Sequence, residues 1–393
     1  MKYDFIIIGA GPAGSIAAHK SATEGAKVAL IDQDVFPRDK ICGNGVSRRG
    51  LLILKRIGLE NWSRQFLRPQ VLRLKSPDGK ILDGQADQRD SRCYGRLIPR
   101  KHLDEKLILT AIEAGAKLIE GTKVLAIELS SKSIHVFTEK YKLTSQLVIL
   151  CDGSHATLTR QIGLANSLPE LMAVRQYFTG DSGPKNRMEI HFEQSVLPYY
   201  CWLFPLEDGR INIGTANYTT KAIKGKVNLR ETLINFTTDP TATQGRLIQA
   251  KPVGSIQGHP LRTQFGATLT HATRVLVAGD AAGLVNPLTG EGIASAMESG
   301  ELAATHALHA LKTGDFSDQA LSVYSRDLET RYGADQRAAR ILRRGMSIPH
   351  LFTRAFHRLR QDRELALLIG YVIIGHKSPR LVLRPTTLLR LLT

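Results

Sequence analysis

The sequence predicts an α/β fold: a Rossmann-like domain, interrupted by an antiparallel β-sheet domain and followed by a C-terminal helical region. Three observations carry this prediction. The chain opens with a short apolar strand, the turn Gly9-Ala10-Gly11-Pro12-Ala13-Gly14 and a helix. A second strand, turn and helix, running from Arg274 past Ile293, comes only late in the chain. Between them lie short alternating or apolar segments bounded by turn residues, the pattern of antiparallel strands.

Composition narrows the classes. The chain has 393 residues, enough for two domains and a large core. At 42% hydrophobic and 23% charged it is ordinary globular protein, not a disordered segment. The longest apolar run, Leu365 to Gly375, is too short to span a bilayer. Asp4-Phe5-Ile6-Ile7-Ile8 reads as a buried strand leading into the glycines, not as a signal peptide. Cys42, Cys93, Cys151 and Cys201 are scattered without metal-type spacing, so no metal site is expected and a reducing cytoplasm is.

Net charge is +17, and the segment from Arg326 onward holds 14 Lys/Arg against 5 Asp/Glu. No nucleic-acid motif accompanies this charge. In the tail the cations alternate with Leu, Ile, Phe and Val. That pattern fits a segment lying on an anionic membrane surface. It fits the solvated face of terminal helices equally well. The localisation expected is cytoplasmic, with peripheral membrane attachment as one reading of the tail.

Along the chain, residues 4–9 form the first strand, and Gly9, Gly11 and Gly14 the tight turn. A helix follows from Ala13 to Glu24, Gly25 closes it, and Lys27 to Asp32 is the second strand. Asp32 lies eighteen residues after Gly14. This is the βαβ dinucleotide fingerprint: pyrophosphate at the helix start, the acid on a ribose hydroxyl. The loop Phe36 to Ser47 carries Arg38 and Lys40, cations suited to phosphate. It also carries Cys42, Gly43 and Gly45, which let backbone approach a flat ring. Arg49 to Ile57 reads as a helix, and residues 69–98 as a small β excursion with a Pro-Asp-Gly turn.

A helix from Arg100 to Ala114 leads into strands at Lys117 to Glu120, Val124 to Leu129, Ile134 to Glu139 and Leu147 to Leu150. The last of these ends at Cys151-Asp152-Gly153, either a cofactor contact or a simple turn. From Leu171 to about Gln264 the chain is β-rich, with a helix from Lys221 to Phe236. Tyr199-Tyr200-Cys201-Trp202-Leu203-Phe204-Pro205 is either a core strand or the wall of an apolar pocket. Arg274 to Ala278 is a short buried strand, and Asp280 can accept a hydrogen bond from a cofactor hydroxyl. Pro287 and Gly290 break the chain before a helix starting near Glu291. Free N–H groups there can bind negative charge, as on a reduced flavin. Helix continues to the end.

These motifs together resemble the geranylgeranyl reductase family of FAD-dependent oxidoreductases, within the larger class that shares the fold of p-hydroxybenzoate hydroxylase. The resemblance covers about residues 1–310. It implies a discontinuous FAD-binding domain (1–68, 93–170 and 265–310), a β-rich substrate domain (69–92 and 171–264) and a basic helical region (311–393). Carried over, the Gly9, Gly11, Pro12, Ala13 and Gly14 turn holds the FAD diphosphate with Arg38 and Arg100. Asp32 holds the adenosine ribose, and Val124 contacts the adenine side. Cys42 and Gly43 lie beside the flavin, with Asp152 a further contact. Asp280 binds the ribityl chain, and Gly290, Gly292 and Ile293 face the ring. Tyr200, Trp202, Phe204 and Pro205 match the family's YxWxFP signature and line a polyprenyl pocket. Three departures stand out: Asn44 where relatives often carry glycine or an acid, Ala156 in place of a serine, and Arg160 one residue late.

The implied activity is saturation of C=C bonds in an isoprenoid or other apolar substrate. Cys42, Tyr200 and Trp202 are the catalytic candidates, and Cys42, Tyr200 or water the proton source. The electron donor is NADPH, NADH or reduced ferredoxin; an acidic ferredoxin would suit the basic surface. A flavin monooxygenase shares the fold. A halogenase is disfavoured, because Tyr200 and Phe204 replace the Trp and Ile of its WxWxIP signature. The complete FAD motifs weigh against a non-enzymatic prenyl-binding protein.

Overall fold

The computed structural model describes residues 2–392 apart from 86–93, 131 and 220–226. Cys93 and the start of the helix expected at Lys221 lie outside the described residues. That helix is present at Leu229–Thr238, and Asn228 caps it by accepting from the Arg230 and Glu231 amides.

The first sheet is ordered His271–Ala272, Val275–Val277, Lys142–Leu150, Lys2–Ile8, Val28–Ile31, Lys117–Ile119. From Val275–Val277 onward every neighbour is parallel. An antiparallel ribbon, Val124–Leu129 with Ile134–Thr138, joins through the first half of Lys142–Leu150. Phe5 to Ile7, Leu147 to Leu150 and Leu30 to Ile31 are wholly buried. Near-continuous apolar strands are what a parallel sheet covered on both faces requires. Its carboxyl ends fall at Gly9, Asp32, Cys151 and Ala278, so the fingerprint and the late strand–turn–helix meet at one edge.

The second sheet is ordered Lys251–Leu261, Leu171–Thr179, Ile211–Tyr218, Cys201–Pro205, Arg187–His191, Val71–Lys75, Ile81–Gln85. It is antiparallel except where Arg187–His191 runs parallel to Val71–Lys75. Alternation divides its faces. Met188, Ile190 and Phe192 pack with Leu72, Leu74 and, from the helical tail, Phe352 and Phe356. Glu189 and His191 face the other way, where Arg246 pairs with Glu189 and the His191 ring meets Phe236. Lys251–Leu261 was hidden in the sequence by Pro252, Gly254, Gly258 and Pro260. It is an edge strand, where proline costs no ladder hydrogen bond, and its register slips between Arg175 and Tyr177.

The tail is helical as expected: Asp318–Leu328, Ala334–Met346, Pro349–Gln361, Arg363–Ile373 and Pro385–Leu392. None of the described helices is long and apolar enough to cross a membrane.

Helix Ile293–Thr313 crosses helix Pro12–Thr23 at Gly300, where an added Cβ would stand 2.1 Å from the Ala13 carbonyl oxygen. Gly300→Ala must therefore push the two helices apart. The expected loss is about 1–3 kcal/mol, the usual cost of overpacking. An unchanged midpoint in chemical denaturation would contradict this close approach.

Candidate cofactor and substrate site

The glycine turn is set by backbone proximity. Gly9 has φ +101°, and a Cβ there would lie 2.2 Å from the Cys151 carbonyl oxygen. A Cβ on Gly14 would lie 1.8 Å from the Gly9 carbonyl. Only glycine is tolerated at either position. Pro12 opens the helix with a fixed φ and no N–H to leave unsatisfied. The Ala13 and Gly14 amides then belong to the first turn and have no helical acceptor. Asp32 braces this turn: its carboxylate accepts the Ala10 amide at 2.6 Å and the Asp34 amide at 2.9 Å. Burial raises its pKa against those bonds.

Cations line the same edge. Arg100 forms a fork with Asp104, both bonds 2.7 Å, and Arg38 adds a third at 2.8 Å. Burial opposes ionisation of Asp104, yet Arg100 and Arg38 hold its pKa below the usual carboxylate value. Arg100 faces Gly11, and the Lys40 ammonium stands over Gly153. Burial, and then the Arg100 charge, push the Lys40 pKa down. A diphosphate here would relieve that repulsion.

The late motif supplies the facing wall. After Val275–Val277 the chain turns through Gly279–Ala282, and the Asp280 carboxylate accepts the Ser154 hydroxyl at 2.8 Å. Glu291 accepts the Ala294 amide at 2.9 Å and so caps helix Ile293–Thr313 itself. This leaves Gly292 and Ile293 as the N–H groups at the cavity. A Cβ on Gly292 would lie 3.3 Å from Asp280 Oδ1. Burial pushes the Glu291 pKa up.

Two consecutive tyrosines hold the loop before this helix. Tyr199 donates to the Pro287 carbonyl at 3.2 Å and Tyr200 to the Thr289 carbonyl at 2.5 Å. Both stand just ahead of strand Cys201–Pro205, not within it. Burial drives the Tyr200 pKa up. As a candidate proton source, Tyr200 therefore has its hydroxyl committed to backbone. Trp202 Nε1 donates to Asn212 Oδ1 at 2.9 Å, and Asn212 Nδ2 donates to the Cys42 carbonyl at 2.7 Å. Asn212 thus ties the aromatic strand to the Cys42 loop. The Cys42 sulfur accepts the Asn44 amide at 3.3 Å. Asn44 itself has φ +65°, a conformation asparagine tolerates better than most side chains.

One cavity of about 590 Å³ joins these parts, within the usual range for small-molecule sites. Gly11, Pro12, Ala13, Cys42, Gly43, Arg100, Asp280, Gly290, Gly292, Ile293, Tyr200, Trp202 and Phe204 all line it. Gly9, Gly14, Asp32, Arg38, Val124, Asp152 and Pro205 are not among its lining residues. The Asp152 carboxylate is engaged with the Leu158 and Thr159 amides at 2.8 and 3.1 Å, capping a short helix. Cys151 and Gly153 reach the cavity on either side of it.

Several lining residues escaped sequence reading. His259 comes from the unrecognised edge strand; burial and the Lys40 charge lower its pKa to about 3, so it is neutral. Phe352, Phe356, Leu359, Val372 and Leu391 come from the tail. Their amphipathic spacing was visible, but not which element they would face. The residues fit a dinucleotide ending in a flat ring: cations and free amides at one end, and a glycine-edged slot against aromatic rings at the other.

The comparisons agree. An FAD binding domain model matches residues 2–179. A menaquinone reductase of Mycobacterium tuberculosis is 33% identical over 314 residues, 77% of this chain and 75% of that protein. A digeranylgeranylglycerophospholipid reductase of Methanocaldococcus jannaschii is 31% identical over 339 residues, 82% of this chain and 81% of that one. The chain belongs to the geranylgeranyl reductase family of FAD-dependent oxidoreductases. The fold is shared with a geranylgeranyl bacteriochlorophyll reductase-like protein of Thermoplasma acidophilum, at TM-score 0.78 and 22% identity over 88% of each chain. Helix Ile293–Thr313, after the late motif, is anchored by Glu298, which receives Arg49, Arg331 and Tyr332.

Burial opposes ionisation of Glu298, but these partners hold its pKa down to about 2. A depressed carboxyl stabilises the fold above its unfolded pKa and loses that contribution as pH falls through the folded one. Wild type should lose roughly 2–3 kcal/mol between about pH 4.5 and pH 2 through this group. Glu298→Gln should be less stable at pH 7 and flatter across that window. Parallel stability–pH curves for the two proteins would remove Glu298 from this role.

Proposed function

We propose that this protein saturates C=C bonds of an isoprenoid chain, using reduced FAD. The observation that carries the reading is the continuity of the cavity. Its polar end is built from the dinucleotide fingerprint and the late motif. Its other end is aliphatic and aromatic, with no charged side chain among Leu72, Leu74, Met188, Ile190, Phe352 and Phe356. Relatives named for digeranylgeranyl lipid and menaquinone reduction support an isoprenoid.

In this reading FAD supplies the hydride, and the chain does the rest. The Ala13 and Gly14 amides, Arg100 and Lys40 bind the diphosphate. Asp32 and Asp280 accept ribose and ribityl hydroxyls. Gly292 and Ile293 direct N–H groups at developing negative charge. Trp202, Phe204 and Gly43 line the part of the cavity where an alkene would lie, and the apolar wall keeps water from it. An isolated alkene accepts hydride poorly, so a proton must reach the second carbon in good alignment. We take the Cys42 thiol, in a cavity-lining residue, as the donor in preference to Tyr200, whose hydroxyl is bound to backbone.

Two measurements test the reading. Asp280→Ala should lower FAD retention at least tenfold, read as flavin absorbance after gel filtration; a variant as yellow as wild type would refute the role of Asp280. Anaerobic incubation of reduced enzyme with isoprenoid lipid should give products heavier by two hydrogens per bond reduced. Products carrying an added oxygen, formed only in air, would instead establish a monooxygenase. Running the reduction with NADPH, NADH and ferredoxin in turn identifies the donor.

A further inference from the structure

The two last long helices of the tail have two different faces. Arg363–Ile373 turns Ile369, Val372 and Ile373 into the cavity, and Pro385–Leu392 turns Leu388 and Leu391 into it. Away from the cavity, Leu367 is 43% exposed and Leu389 is 62% exposed. Leu392 lines the cavity while remaining 40% exposed, so the apolar end reaches the surface here. Water-facing leucines beside an apolar mouth are costly unless something apolar covers them.

The segment around this mouth is strongly basic. Residues 349–392 hold eight Lys/Arg and two acids. Both acids, Asp362 and Glu364, are held by Arg390 at 2.6 and 3.4 Å. Arg354, Arg360, Arg363, Lys377 and Arg384 are exposed around them. No described helix can cross a bilayer, so a lipid partner would be met at its surface. An amphipathic helix pair with leucines outward and arginines at the flanks seats in the headgroup boundary of anionic lipid.

We propose that helices Arg363–Ile373 and Pro385–Leu392 dock the protein on an anionic bilayer and open its cavity to the lipid phase. Resting on the isoprenoid reading above, this makes the substrate a membrane-resident chain drawn in through the Leu392 mouth. A water-soluble short-chain diphosphate would have no need of it.

Flotation of the FAD-loaded protein tests this without any substrate. Vesicles of phosphatidylglycerol and phosphatidylcholine in equal parts should carry at least tenfold more protein than pure phosphatidylcholine, and high salt should reduce the difference. Leu367→Glu with Leu389→Glu, both on the outer face, should cut that partition at least tenfold. Flavin absorbance and thermal midpoint should stay at wild-type values, which separates lost docking from lost folding. Wild-type protein that stays at the bottom with anionic vesicles would overturn the proposal. So would a double variant that floats as well as wild type. Neither result depends on what the enzyme reduces.

Discussion

The backbone contact between Ala13 and Gly300 is the constraint on which the rest depends. It lets two helices, begun nearly three hundred residues apart, cross without side chains between them. Both helices start at the carboxyl edge of the same parallel sheet. Their first turns, through Ala13 on one and Gly292 and Ile293 on the other, consequently border one cavity. A doubly wound sheet leaves its ligand crevice at this edge. Glycine at the crossing sets how narrow that crevice is.

The second constraint is electrostatic. Asp104 is fully buried, yet it stays ionised because it is shared between Arg100 and Arg38. The shared carboxylate orients both guanidinium groups, and Asp34 pairs with Arg38 as well, at 2.9 Å. Lys40 then adds a further cation that burial and Arg100 disfavour. A diphosphate beside Lys40 would offset the burial and the Arg100 repulsion that disfavour its charge.

Much of this was legible in the sequence because it is local. The Gly9 turn, Asp32 and the Asp280–Ile293 stretch are short patterns whose spacing follows from a strand, a turn and a helix. What was not legible is long-range. Lys251–Leu261 carries two prolines and two glycines, so no alternation marks it; only its place at a sheet edge makes it a strand. Asp32 and Asp152 were read correctly as strand-end acids, but sequence cannot tell which way a carboxylate turns. Asp32 turns to the Ala10 amide, and Asp152 to the amides of a short helix. Asn212 looks like an ordinary strand polar residue until the fold places it between Trp202 and Cys42. The tail read as amphipathic, and its apolar faces found the cavity only through tertiary packing.

One network shows why the tail and the cofactor edge cannot be treated as separate parts. Arg343, on helix Ala334–Met346, is buried, pairs with Glu170 at 3.2 Å and lies over the Tyr218 ring. It also approaches the Tyr199 hydroxyl, which in turn donates to Pro287 in the loop before Gly292. Gln336, two turns earlier on the same helical face, reaches the Leu284 and Val285 carbonyls in the same loop. The helix that closes the apolar end is thereby hydrogen-bonded, directly and through Tyr199, to the loop that positions the polar end. A displacement of the tail must either break these buried bonds or carry the loop with it, and breaking a buried bond to a charged group is the costlier course. The aromatic pair Tyr199-Tyr200 is therefore more than a pocket wall: it joins the helical tail to the loop that precedes Gly292.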